Sequence, residues 1–180
     1  MAKRRSPEPI SAIEDRLLRA SVALGDSLDS ISMPELAAAA EIAVGTLYRI
    51  APSKSALAAL LDGRAQAHFD RHVFAPFPAR LGLEERFRLM WSRLAEFALS
   101  EPDLAAYLAR KPMAADSAFI KASAIFARDG AATAELKAFS GEELAAIVWG
   151  PLSALLRNHT CSVESLQQLE QAAWDGLRRI

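Results

Sequence analysis

The chain has a single cysteine, Cys161, in 180 residues. One cysteine cannot close an internal disulfide, which fits a reducing compartment. Cys161 stands between Thr160 and Ser162 at an expected helix boundary, so it reads as an incidental thiol rather than a reactive one. No apolar run is long enough to span a bilayer. The N-terminus is polar and basic and has no apolar signal-peptide core. A cytoplasmic protein without membrane association is therefore expected. Charge of one sign is lacking as well: 21 Lys and Arg face 22 Asp and Glu, for a net charge of −1. The first sixty residues repeat this balance, with Lys3, Arg4, Arg5, Arg16, Arg19, Arg49 and Lys54 against Glu8, Glu14, Asp15, Asp26, Asp29, Glu35 and Glu41. Such balance counts against strong non-specific binding to polyanions, although the placement of charge matters more than its sum. There are no paired carboxylates in a marked cleft, no nucleophile elbow and no phosphate-binding glycine loop. Neither an enzyme nor a bound cofactor is expected.

Sustained period-two alternation is missing too, which removes the usual signature of half-buried strands. What is present is apolar spacing of three and four, in a chain that is 52% hydrophobic. The chain reads as all-α. Residues 1–9 form a basic arm that contains proline. A first helix is expected over 10–25, with Ser11 and Glu14 as a capping box and Ile13, Leu17, Leu18, Val22 and Leu24 on its apolar side. Helices are then expected from Ser32, over 43–50, and from Ser53 to about 72. A break follows at 74–79, then helices at 83–99, 102–111, 116–129, 141–158 and 162–178. Ser100 with Asp103, and Ser140 with Glu143, place hydroxyls and carboxylates at two of these starts.

The stretch from Ile31 to Lys54 carries the most information. Ser32 and Glu35 make a capping box, Ile31 and Leu36 a hydrophobic staple, and Pro34 falls in the first turn, where its missing N–H costs nothing. Leu36, Ala37 and Ala40 face inward, and Leu47 anchors the next helix. Pro52 ends that helix, because proline disfavours helix in the residue before it. Two short helices meeting at a tight turn are the layout of a helix-turn-helix, whose second helix enters the DNA major groove. Tyr48, Arg49 and Lys54 gather near the end of one helix and the start of the next. Lys54 opens a helix, where the dipole disfavours a cation and a partner anion would offset the cost.

From Ser32 to Leu57 the sequence resembles the tetracycline-repressor (TetR) family of one-component regulators. The resemblance rests on Met33, Leu36, Ala37 and Ala40, then Gly45-Thr46-Leu47-Tyr48, then Pro52-Ser53-Lys54 and Ala56-Leu57. It covers about a quarter of the chain. It implies a helix-turn-helix DNA-binding domain at 10–60 and a helical ligand-binding and dimerisation domain at 61–180. It also implies a DNA surface built from Ser32, Met33, Ala43, Val44, Gly45, Thr46, Tyr48, Arg49 and Lys54. Within that surface, Tyr48 and Lys54 match phosphate-contacting positions, Thr46 a backbone-contacting one, and Val44 and Arg49 positions that face base edges. Gly45, lacking a side chain, permits close approach. The departures are Glu41 in place of a common turn glycine, Ala43 in place of a polar cap, Val44 in place of a polar or basic side chain, Ile50-Ala51 in place of an aromatic pair, and Pro34 in place of a DNA-facing polar residue. Glu41 is expected at a residue that prefers a positive φ, and Val44 to read a thymine methyl.

Beyond residue 60, aromatic and apolar stripes suggest a pocket for a small apolar ligand, with Phe87, Trp91, Leu94, Tyr107, Phe119, Phe126, Ile147 and Pro151 as candidate lining. Pro151 inside a helix frees the carbonyl of Ile147. For a homodimer interface the candidates are Leu152, Leu155, Leu156, Leu166, Leu169, Ala173, Trp174 and Leu177. His68 and His72, four apart, share a helix face, but no third ligand is evident and no metal is expected. Lys3-Arg4-Arg5 reads either as a groove-touching arm or as a solubilising tail. The function expected is a ligand-responsive regulator, read as a repressor, that binds a palindromic double-stranded operator as a homodimer. The alternative is a helical sensor or interaction protein whose head has lost strong DNA binding.

Overall fold

The computed structural model describes residues 9–25, 28–78 and 80–179. The Lys3-Arg4-Arg5 arm lies outside the described residues. Nine α-helices are present among those described: α1 (Ile10–Leu24), α2 (Met33–Ala39), α3 (Val44–Ile50), α4 (Lys54–Val73), α5 (Leu83–Ser100), α6 (Pro102–Ala109), α7 (Ala118–Ala132), α8 (Gly141–Arg157) and α9 (Val163–Leu177). A 3-10 turn at Leu28–Ser30 precedes α2, and one isolated bridge pairs Leu136 with Arg178. The chain divides into two compact units, Met1–Ala67 and His68–Ile180. The division falls inside α4.

In the first unit, α1 begins after Pro9 with no side-chain cap, so Ser11 lies inside the helix and forms no capping box. Gly25 ends α1 at a φ of 143°, a conformation open essentially to glycine. The core is Leu17 and Leu18 of α1, Leu36 and Ala37 of α2, Leu47 of α3, and Leu57, Leu61 and Ala65 of α4. These last three recur at intervals of four, so one side of α4 is a continuous apolar ridge. Arg64 ties α4 to α1: its guanidinium donates to the Ser11 carbonyl at 2.9 Å and to the Asp15 carboxylate, and faces Glu14 at 3.5 Å.

In the second unit, α5 buries Leu83, Phe87, Trp91, Leu94, Phe97 and Ala98 along one stripe. Its indole at Trp91 donates to the carbonyl of Leu166 at 3.0 Å, fastening α5 to α9. The cap of α6 is Glu101 with no side-chain bond, and Ser100 closes α5 instead of opening α6. At the start of α8 the capping box forms as expected, with Glu143 N–H donating to Ser140 Oγ at 3.1 Å and Ser140 N–H to Glu143 Oε2 at 2.7 Å. Accepting that backbone bond holds the Glu143 carboxyl below its ordinary pKa. α7 and α8 approach very closely: a Cβ on Gly141 would lie 2.6 Å from both Cα and Cβ of Ala124, and one on Gly130 would overlap the Leu136 side chain. Where α9 ends, Lys137 N–H donates to Leu177 O at 2.9 Å and Arg179 N–H to Glu135 O at 2.8 Å, which closes the unit.

Candidate nucleic-acid interface and ligand cavity

The interface is built from α2, its turn and α3. Ser32 N–H donates to Glu35 Oε2 at 3.3 Å and Glu35 N–H to Ser32 Oγ at 3.2 Å, so the expected capping box fixes the start of α2. The helix ends in a Schellman turn: Ile42 N–H donates to Ala37 O at 2.9 Å and Glu41 N–H to Ala38 O at 3.0 Å. Such a turn needs a left-handed residue, and Glu41 supplies it at a φ of 55°. The carboxylate is exposed on the turn between the two helices.

α3 has two different sides. Leu47 is fully buried and Ala51 nearly so, which anchors it. On the opposite side, Val44 (38% exposed), Gly45, Tyr48 (47% exposed) and Arg49 face outward, at helical positions i, i+1, i+4 and i+5. Thr46 is half-buried, and Ala43 caps the helix without a side-chain bond. An added Cβ at Gly45 would meet no atom of the chain within 4 Å, so internal packing does not require the glycine. Lys54 donates from Nζ to the Asp29 carbonyl oxygen at 2.7 Å. A main-chain carbonyl, rather than an anion, thus offsets the helix-dipole cost of a lysine at this start. Met33 departs from the expected DNA surface: at 7% exposure its side chain is spent in the core, inward of the Ser32 cap.

The second unit holds a cavity of about 210 Å³. Phe87, Phe119 and Phe126 line it, together with Phe74, Phe77, Arg86, Met90, Ala122, Ser123, Ile125, Leu144 and Val148. Trp91, Leu94, Tyr107, Ile147 and Pro151 are not on its wall. Trp91 is turned toward α9 by its bond to Leu166, Leu94 and Tyr107 are buried elsewhere, and α8 runs through Pro151, which is exposed. Phe74 and Phe77 come from the break after α4, where only chain-breaking residues were noted. Two large apolar side chains in so short a link were the signal that they pack inward. Arg93 holds this link by donating to the carbonyls of Val73 and Pro76 at 3.3 Å and to that of Ala75, and its guanidinium stacks 4.9 Å from the Phe77 ring.

The residues expected at a dimer interface differ in how far their own chain covers them. Leu152, Leu156, Leu166, Ala173, Trp174 and Leu177 are buried within one chain, and Leu155 and Leu169 are half-buried. Trp174 is 5% exposed, and its ring lies 5.2 Å from that of Phe87, which places it in the core of its own unit. Most of the large apolar side chains of α8 and α9 pack on their own unit, while Leu155 and Leu169 stay half-buried and Val163 is exposed. Small residues also lie outward: Ala146, Gly150 and the half-buried Ala154 on α8, and Ala172 and Gly176 on α9. His68 and His72 face different carboxylates, Glu101 at 3.8 Å and Glu96 at 3.7 Å, rather than each other. Cys161 is half-buried, and burial pushes its thiol pKa up, which disfavours the reactive thiolate.

No family model and no curated protein matches the sequence. Solved structures do match it over nearly its whole length. A TetR-family transcriptional regulator from Haemophilus influenzae is 18% identical with a TM-score of 0.77, over 94% of this chain and 98% of that one. A TetR-like transcriptional regulator from Rhodococcus sp. RHA1 is 20% identical with a TM-score of 0.73, over 96% and 98%. The flavonoid-responsive regulator FrrA is 23% identical with a TM-score of 0.51, over 91% and 93%. The chain therefore has the fold of TetR-family transcriptional regulators: all-α, with a helix-turn-helix head and a helical second unit. Among the described residues no helix is long and apolar enough to cross a membrane.

Proposed function

We propose that the protein is a ligand-responsive transcriptional regulator of the TetR type, a repressor that binds a palindromic DNA operator as a homodimer. The observation that carries this reading is the outward face of α3. Val44, Gly45, Tyr48 and Arg49 project from a helix pinned by Leu47, beside a glycine that the chain's own packing does not need. The fold shared with known regulators supports it, and the cavity in the second unit supplies room for an effector. A ligand can release DNA only by binding the two conformations of the regulator with different affinity.

Two-fold pairing in this reading uses the small outer residues of α8 and α9 beside the half-buried Leu155 and Leu169, since most of the larger apolar ones are internal. Ala146, Gly150 and Ala154 repeat every four residues and let a second helix come close. Gly150→Arg is expected to leave helicity intact by circular dichroism and to halve the sedimenting mass.

The test of the whole reading is selection of bound fragments from random DNA, with Lys54→Ala in parallel. A palindrome with half-sites about one helical turn apart, or a multiple of it, is the expected result. Failure to enrich any sequence, with no salt-dependent binding, would overturn it. Such a failure would favour a sensor whose head no longer engages DNA. The exposed Glu41 carboxylate on the turn is the observation on that side.

A further inference from the structure

The cavity wall of the second unit is one-sided in its chemistry. Five phenylalanines form much of it: Phe74, Phe77, Phe87, Phe119 and Phe126. Its polar side chains are Arg86 and Ser123. Ser123 is 6% exposed, and its hydroxyl has no hydrogen-bond partner among the described residues. A hydroxyl on a cavity wall that bonds nothing in its own chain is free to donate to a guest.

Arg86 is held in place but not used up. Nη1 donates to Asp129 Oδ2 at 3.1 Å, and the guanidinium sits 5.7 Å from the Phe126 ring centroid. Nε is buried and has no hydrogen-bond partner. The same Asp129 also accepts from Arg128 at 3.1 Å, so two guanidinium groups share one carboxylate and the cluster keeps a positive charge. The bond from Arg86, then that from Arg128, holds the Asp129 carboxyl below its usual pKa and keeps it ionised at neutral pH. A wall with a cation and an unpaired hydroxyl calls for an acceptor, and for one carrying negative charge. A purely apolar guest would leave the Ser123 hydroxyl without a partner and the spare donors of Arg86 unused.

Size narrows the class further. A dry apolar cavity of about 150 Å³ accommodates benzene. The cavity here, about 210 Å³, suits one ring with a short polar arm or a compact fused pair. Rings packed at offset or edge-on angles are the preferred company for phenylalanine.

We propose that this cavity binds a compact aromatic carboxylate, with its ring among the phenylalanines and its carboxylate accepting hydrogen bonds from Arg86 and Ser123. The inference rests on reading the second unit as the effector-binding half of a regulator. It names the effector's chemistry.

The test is calorimetric titration of the full-length protein with 2-naphthoate and with its neutral counterpart 2-methylnaphthalene. The carboxylate is expected to bind about tenfold tighter or better, as a charge-assisted bond to Arg86 implies. Ser123→Ala, which leaves the packing almost unchanged, is expected to weaken 2-naphthoate about threefold or more, and Arg86→Gln about tenfold or more. Both variants are expected to leave 2-methylnaphthalene within about twofold of wild type, because it makes neither bond. Equal binding of the two probes overturns the proposal. So does failure of 2-naphthoate to bind, or its indifference to Ser123→Ala. The regulator reading is scored separately, by operator affinity with each probe bound. Should 2-naphthoate bind with these ratios yet leave operator affinity unchanged, the carboxylate site stands and the regulator reading falls. Release of DNA by the hydrocarbon alone has the opposite meaning.

Discussion

The ammonium of Lys54 is hydrogen-bonded to the main-chain carbonyl of Asp29, 2.7 Å away and 25 residues earlier in the chain. The bond fixes the position of one positive charge at the start of α4. An ammonium has three donors, so one bond to a carbonyl leaves donors for a phosphate. Lys54→Ala is expected to weaken binding to all DNA sequences alike and to lower the slope of log affinity against log salt by about one. Fluorescence anisotropy across a salt series on two unrelated duplexes measures both quantities. An unchanged slope would remove Lys54 from the contact surface.

Gly45 offers a cleaner separation of stability from function. Its added Cβ meets nothing within the chain, and alanine is the better helix former by about 0.5–1 kcal/mol. Gly45→Ala is therefore expected to leave the melting temperature equal or higher. If DNA packs against that surface, the same change lowers operator affinity. A variant both more stable and fully active would show that no backbone approaches there.

Glu41 holds a left-handed conformation at a φ of 55°, a region that costs an ordinary residue about 1–2 kcal/mol relative to glycine. Glu41→Gly is expected to stabilise the first unit by about 1 kcal/mol in denaturant titration. Glu41→Gln keeps the strain but removes the charge, so it is expected to leave stability alone and to raise DNA affinity. Ala134 and His159 occupy the same kind of turn after α7 and α8, at φ values of 58° and 51°. Ala134→Gly is expected to behave as Glu41→Gly does.

Gly141 and Gly176 make a matched pair. A methyl group at Gly141 would press on Ala124, whereas one at Gly176 would meet nothing. Gly141→Ala is expected to destabilise the protein by about 1–3 kcal/mol through overpacking. Gly176→Ala is expected to be neutral or slightly stabilising for the folded chain. Thermal melts of the two variants side by side decide the matter. The proposed two-fold pairing is assayed apart, because Gly176 is exposed on α9.

Local signals in the sequence were read well, and global ones less so. The capping boxes at Ser32 and Ser140 are written in residues three apart, and both form. Ser11 and Ser100 carry the same letters, but the chain starts or continues its helices elsewhere, since packing of the apolar face sets where a helix begins. The left-handed turn at Glu41 was legible through the resemblance alone, which sets a turn glycine at this position. The cavity was half legible. The stripe on α5 is wide enough to cover two faces, and only the fold reveals that Phe87 and Met90 reach the cavity while Trp91 turns to α9. The cover of the α8 and α9 faces was illegible for a related reason. An apolar helix face must be covered, but sequence does not say whether the cover is the same chain or a second copy. At Leu152, Leu166 and Trp174 it is the same chain.

The seam between Gly141 and Ala124 limits how the second unit can respond to a guest. Backbone lies against backbone there, with no side chain long enough to flex. Ser123 and Leu144, close by on either strand of that seam, belong to the chamber wall. Two rods joined so tightly do not slide lengthwise past each other, because each ångström of slip would drive Cα atoms into contact. Expansion of the chamber must then come as a swing about the seam, like the blades of scissors about their rivet, and the displacement grows with distance from the rivet.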